Sequence, residues 1–186
     1  MERTRSRRIW WLGAALAVLL VAAVAGAVFQ PWRLLYDETV VEAVPTAGPV
    51  AESAPAAPSA SPPPAAPTGP VELASGALIS HEHPTTGTAR VLQLEDGARV
   101  LVLDGLDTVN GPDLHVWLTD QPVIEGTDGW FVFDDGAWTS LGPLRGNVGT
   151  QQYAIPDGVD LSQVTSVSIW CERFAASFGA APLDLA

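Results

Sequence analysis

The sequence predicts an all-β, sandwich-like single domain preceded by one transmembrane helix and a disordered linker rich in Pro and Ala. Three observations predict it. Short apolar or alternating runs recur after residue 71 with turn residues between them, the spacing expected of a sandwich or closed barrel. No window in that region holds a 3.6-residue apolar stripe longer than two turns. Ahead of it, composition changes abruptly twice, so the 186 residues divide into 1–8, 9–29, 30–70 and 71–186.

Residues 1–8 are basic, and residues 9–29 form an uncharged apolar run. At 1.5 Å per residue such a run spans roughly 30 Å, the thickness of a bilayer hydrocarbon core. Arg3, Arg5, Arg7 and Arg8 precede it, whereas Asp37, Glu38 and Glu42 follow. The positive-inside rule then places the N-terminus in the cytoplasm and the C-terminal domain outside it. Trp10, Trp11, Trp32 and Tyr36 bracket the run, as interfacial aromatics do. Ala25-Gly26-Ala27 has the small-x-small form of a signal cleavage site, but the run is longer than the usual apolar core of a signal and continues past that site to Phe29. Both readings export the domain.

Residues 30–70 read as a juxtamembrane segment and linker. Prolines such as those of Ser61-Pro62-Pro63-Pro64 remove amide donors, so the expected state is an extended spacer with polyproline II character. Recognition by a proline-binding partner is the alternative.

The strands expected in the domain begin with Ala77-Leu78-Ile79-Ser80-His81-Glu82-His83, Thr88-Ala89-Arg90-Val91-Leu92-Gln93-Leu94 and Arg99-Val100-Leu101-Val102-Leu103. Leu114-His115-Val116-Trp117-Leu118, Trp130-Phe131-Val132-Phe133, Gln152-Tyr153-Ala154-Ile155 and Ser166-Val167-Ser168-Ile169-Trp170-Cys171 follow. Gly111-Pro112-Asp113, Asn147-Val148-Gly149 and Asp157-Gly158 read as turns, with the Asp113 carboxylate bracing local amides. Trp117, Trp130, Trp138 and Trp170 serve core filling, or in part an exposed platform.

The chain has a formal net charge of −12, and its acids concentrate in the domain, where the basic residues are Arg90, Arg99, Arg145 and Arg173. This balance excludes nucleic acid as a partner and would suit a basic protein surface. Catalytic constellations are missing: there is no Gly-x-Ser-x-Gly elbow and no His-Glu-x-x-His.

Four runs stand out in order: His83-Pro84-Thr85-Thr86-Gly87-Thr88; Asn110-Gly111-Pro112-Asp113-Leu114-His115-Val116-Trp117-Leu118; residues 146–156, from Gly146-Asn147-Val148-Gly149 to Ile155-Pro156; and Val167-Ser168-Ile169-Trp170-Cys171-Glu172-Arg173-Phe174 with Phe178-Gly179-Ala180-Ala181. In that order and spacing they resemble the DM-thirteen domain, often called the electron transfer DM-thirteen domain, over nearly all of residues 73–183. The resemblance implies a β-sandwich-like extracellular module acting in redox or electron-transfer systems. Its chemistry would centre on the cysteine of the Ile-Trp-Cys run, here Cys171, as a thiol or a cofactor ligand.

Read on its own terms, Cys171 is the only cysteine, so no internal disulfide can form, and an exported thiol must be shielded or used. Alternation puts Cys171 on one strand face with Val167 and Ile169, and Ser166, Ser168 and Glu172 on the other. A thiol among apolar side chains has a raised pKa and little thiolate. That favours burial as a small core residue; it is the resemblance that makes Cys171 the candidate redox residue, with Cys171 and His83 as candidate cofactor contacts. No metal site is assigned, although His81 and His83 could share a strand face, with His115, Asp113 or Cys171 as a third ligand. The cofactor is left open between none, haem and metal. Covalent c-type haem is set aside because there is no Cys-x-x-Cys-His, and axial Met because the only Met is Met1. The expected function is a membrane-tethered accessory in electron transfer, with a redox or basic protein partner. The alternative is a non-catalytic surface interaction domain with Cys171 in its core.

Overall fold

The computed structural model describes residues 2–46 and 69–185. The first element, α1 (Glu2–Phe29), contains the window Trp10–Phe29, which has mean hydropathy 2.6 and no fully buried residue. It is long and apolar enough to cross a membrane. The helix stops where Gln30 turns left-handed at φ 43 and Pro31, which lacks an amide, opens a 3-10 turn over Pro31–Leu35.

Eleven strands follow among the described residues. They are β1 (Thr39–Val41), β2 (Val71–Ala77), β3 (Ile79–Ser80), β4 (Thr86–Gln93), β5 (Arg99–Asp107) and β6 (Leu114–Thr119). β7 (Trp138–Pro143), β8 (Val148–Ile155), β9 (Ser166–Cys171), β10 (Ala176–Pro182) and β11 (Asp184–Leu185) complete the set. They form two sheets, ordered β1-β8-β5-β4-β2-β11 and β3-β10-β9-β6-β7. Every pairing is antiparallel except β1 with β8. The all-β sandwich expected from the sequence is what forms.

The two inner faces enclose one core. Ala89, Val91, Leu101, Leu103, Tyr153 and Ile155 of the first sheet join Val116, Leu118, Val167, Ile169, Cys171 and Phe178 of the second. Removing this apolar surface from water is the main term favouring the fold. A second, smaller cluster covers the outer face of the second sheet, where Trp117, Trp170 and Ala180 pack with Phe133. β9 is consequently buried along its whole length.

Several local expectations are corrected. Residues 77–83 are not one strand: β2 ends at Ala77, Leu78 is buried, and the chain crosses to the second sheet as β3. Trp130-Phe131-Val132-Phe133 is not a strand either. It is an irregular segment after a 3-10 turn at Thr127–Gly129, and its Phe133 plugs the outer face of the second sheet. The serine face of β9 is buried as well as its apolar face: Ser166 donates to the Gln121 carbonyl at 2.7 Å and Ser168 to Ser177 Oγ at 3.0 Å. The Pro/Ala-rich expectation falls mostly on residues 47–68, outside the described residues.

β1 was hidden in the stretch read as juxtamembrane. It docks on β8 through the Asn147 side chain, which accepts from Glu38 N at 2.7 Å and donates to Asp37 Oδ1 and the Thr108 carbonyl, both at 2.8 Å. Glu42 adds a bidentate pair with Arg145 at 2.6 and 2.9 Å. Gly149, at φ 108, makes room: a Cβ there would lie 2.0 Å from the Val40 carbonyl oxygen. The run read as a turn at Asn147-Val148-Gly149 is thus the landing site of a strand.

Candidate functional site

The four sequence runs come from distant parts of the chain and meet at one end of the sandwich. Thr85, between β3 and β4, is buried and its hydroxyl lies 2.7 Å from Thr108 Oγ1 after β5, and it donates to the Phe178 carbonyl of β10 at 3.0 Å. Gly179 of β10 leaves the space Thr85 occupies, since a Cβ there would approach Thr85 to 2.6 Å. Thr108 N donates to the Asn147 carbonyl at 2.9 Å, and Asn110 Oδ1 accepts from Gly111 N at 2.9 Å. These groups pair because an unpaired one in low dielectric is costly, but Asn110 Nδ2 is buried here without a partner among the described residues.

Cys171 closes β9 at this end. Its register partners are Leu114 on β6 and Ala176 on β10, and it has no solvent exposure. Burial pushes its thiol pKa up, and the nearby carboxylates of Asp113 and Glu82 push the same way, against amides of Phe174 and Arg173 that favour the thiolate. In this arrangement Cys171 is a protonated, shielded thiol rather than an exposed nucleophile. Just outside it, Asp113, His115, Glu172 and Arg173 form a half-exposed charged rim. His115 lies 3.4 Å from Asp113 and 3.3 Å from Glu172, and Arg173 is 3.9 Å from Asp113.

The three histidines go to different places. His81 is turned into the outer cluster, where its Nδ1 lies 2.9 Å from Ser177 Oγ, its Nε2 3.1 Å from the Ile124 carbonyl and its ring 5.6 Å from that of Phe133. A carbonyl accepts only, so Nε2 carries the proton and Nδ1 receives the Ser177 hydroxyl. Desolvation holds the His81 pKa below its ordinary value, and the ring stays neutral. His83 sits instead on the Phe178 ring with centroids 4.1 Å apart, and His115 belongs to the charged rim. The His81 and His83 pair considered for a metal does not form, because 81–83 is a bend and not a strand. Among the described residues no group of three or more His, Cys, Asp or Glu side chains is placed to hold a metal ion.

A family model described as Electron transfer DM13 matches residues 77–183, more than half of the chain. The chain belongs to that family. Comparison with curated proteins and comparison with solved structures returned no match. The matched span of the DM13 domain starts at the last residue of β2, so it takes in all four runs but leaves out β1.

Two features, one within the DM13 domain and one at its border with α1, escaped sequence reasoning. Trp138, Trp117 and Trp170 form a column across β7, β6 and β9. The first two rings are parallel within 2° at 3.8 Å, and Trp117 to Trp170 is 5.1 Å. Trp138 is half-exposed and Trp170 is buried beside Cys171 in sequence, so the column runs from surface to interior. Adjacent antiparallel strands place such residues side by side, but only the pairing register says which. The second feature is a cavity of about 260 Å³ at the motif end, lined by His83, Pro112, Phe174 and Phe178 and by Phe29 and Arg33 of the segment at the end of α1. Nothing in the local sequence pairs residue 29 with residue 174.

Proposed function

We propose that this chain is a membrane-tethered module on the outer side of the membrane, acting as an accessory in electron transfer at the cell surface, with Cys171 as its redox residue. The observation that carries the reading is the Electron transfer DM13 match, whose four runs converge at the end of the sandwich where Cys171 lies. Orientation rests on the arginines before α1, by the positive-inside rule. Burial of the thiol sets the terms of its use. A disulfide or electrophile reaches it only when the packing around it opens, whereas an electron leaving the thiol through packed strands has to be matched by loss of the thiol proton, for which Asp113 and Glu82 are the neighbouring carboxylates. The Trp138, Trp117 and Trp170 column offers such a path to the neighbouring residue. His83 and Cys171 are the candidate cofactor contacts, and a redox or basic protein is the candidate partner.

The test compares membranes carrying the wild-type chain with membranes carrying Cys171→Ser, reading reduction of an impermeant one-electron acceptor and circular dichroism of the purified chains. Loss of reduction with the fold retained supports the reading. Equal reduction by both chains removes Cys171 from it. A second reading is a non-catalytic surface interaction domain with Cys171 as a core residue, and the complete burial of the thiol favours it. Under that reading the substitution changes stability alone.

A further inference from the structure

β1 precedes the Pro/Ala-rich run and is already paired into the first sheet, so that run does not separate α1 from the domain. The run leaves β1 and returns as β2 in the same sheet, four places away in the order β1-β8-β5-β4-β2. At about 4.8 Å per strand its two ends lie roughly 20 Å apart on one face of the molecule. Residues 30–38 are all that separates α1 from the first strand of the sheet.

The end of α1 is held directly against the motif end of the sandwich. The Phe29 ring stacks on Phe174 at the tip of the β9–β10 hairpin, with centroids 6.1 Å apart and planes within 14°. Arg173 donates to the Val28 carbonyl, and Arg33 Nη1 donates to the Gly111 carbonyl at 3.3 Å. Phe174 is nonetheless 48% exposed, as is Trp32, and Tyr36 is 49% exposed. If the window Trp10–Phe29 spans the hydrocarbon core, Phe29 marks its boundary and Phe174 stands at the same height.

We propose that Phe174 of the β9–β10 hairpin, with Trp32 and Tyr36, forms a second membrane contact that seats the domain in the headgroup layer of the bilayer crossed by α1. This rests on the membrane-tether reading. Aromatic rings partition to that layer. Charge attraction does not drive the contact, because Arg173 and Arg33 are engaged with carbonyls and the carboxylates of Glu82, Asp113 and Glu172 lie at the same end. The partner surface is therefore a zwitterionic one.

The full chain in phosphatidylcholine vesicles tests this, in a Cys171→Ala background with a fluorophore at Ala175→Cys or, as reference, at Asp96→Cys. Asp96 lies in the β4–β5 turn at the far end of β5, roughly 25–30 Å along the strands. Flotation with the vesicles reports the tether, and quenching by nitroxide-bearing lipid reports the contact. Quenching several-fold stronger at position 175 than at 96, reduced by Phe174→Ser, is expected. A chain that floats but is quenched equally at both positions overturns the contact and leaves the tether standing. A chain that does not float overturns both.

Discussion

Replacing the Cys171 sulfur tests how the core end of β9 is built. Cys171 has no exposed surface and lies between Leu114 and Ala176 in the register of the second sheet, within the apolar core. Cys171→Ser puts a hydroxyl where a weakly polar sulfur sat. The Phe174 and Arg173 amides that act on the sulfur can donate to that hydroxyl, but they give its own proton no acceptor, and burying a group only partly paired costs about 1–3 kcal/mol. Cys171→Ala removes the sulfur and adds no polar atom, so its loss is about 1 kcal/mol, on the scale of one buried methylene. The expected order of stability is therefore wild type, then Ala, then Ser. For a domain of this size, roughly 3–6 °C of melting temperature accompanies each kcal/mol, so Cys171→Ser should melt on the order of 5–15 °C lower. Thermal unfolding of the full chain in detergent, followed by circular dichroism, measures this. Maleimide labelling of the wild-type thiol should be slow in the native protein and fast in denaturant. A Ser variant as stable as wild type, together with a native thiol that labels at the rate of a free one, would refute the buried placement.

Other outcomes follow from neighbouring parts of the structure. The folded His81 pKa lies below its ordinary 6.5, so the unfolded chain takes up the proton first, and stability present at neutral pH is lost as pH falls below 6.5 toward the folded value. Glu42 and Glu72, held low by Arg145 and Arg90, and Asp120 and Asp160, held low by Gln121 and Ser162, add their losses only below their ordinary values of 4.5 and 3.8. Melting temperature should therefore drop between about pH 7 and pH 5 in wild type, with a shallower drop in His81→Gln. Gly149→Val sets a Cβ 2.0 Å from the Val40 oxygen at φ 108 and should release β1, read as faster hydrogen exchange at Glu42 and Thr150 and a loss of about 1–3 kcal/mol. Trp138→Ala removes the face-to-face partner of Trp117, costs about 0.5–1.5 kcal/mol beyond lost area, and should remove the far-ultraviolet exciton couplet of the pair from the circular dichroism spectrum. A far-ultraviolet difference spectrum without a couplet would mean that the two rings are not stacked in solution.

What the sequence by itself determined is whatever depends on short-range pattern. Hydropathy and length alone mark 9–29 as an apolar span. Turn residues between alternating runs foretell a β sandwich, and Ser166-Val167-Ser168-Ile169-Trp170-Cys171 keeps the same bounds as β9. Four ordered runs were enough to name the family. The apolar face of β9 was legible too, because alternation within one strand is local. What only tertiary structure decided are matters of which distant surfaces meet. Whether Ser166 and Ser168 face water depends on Phe133 and the segment after β6, far away in the chain. The histidines at 81 and 83 part because the chain changes sheets at Leu78, a decision taken by pairing partners and not by residues 77–83. β1 has too few residues to announce itself, and it becomes a strand only because Asn147, Gly149 and Arg145 form its landing site. Local propensity sets what a segment can be, while long-range hydrogen bonding and burial select what it becomes.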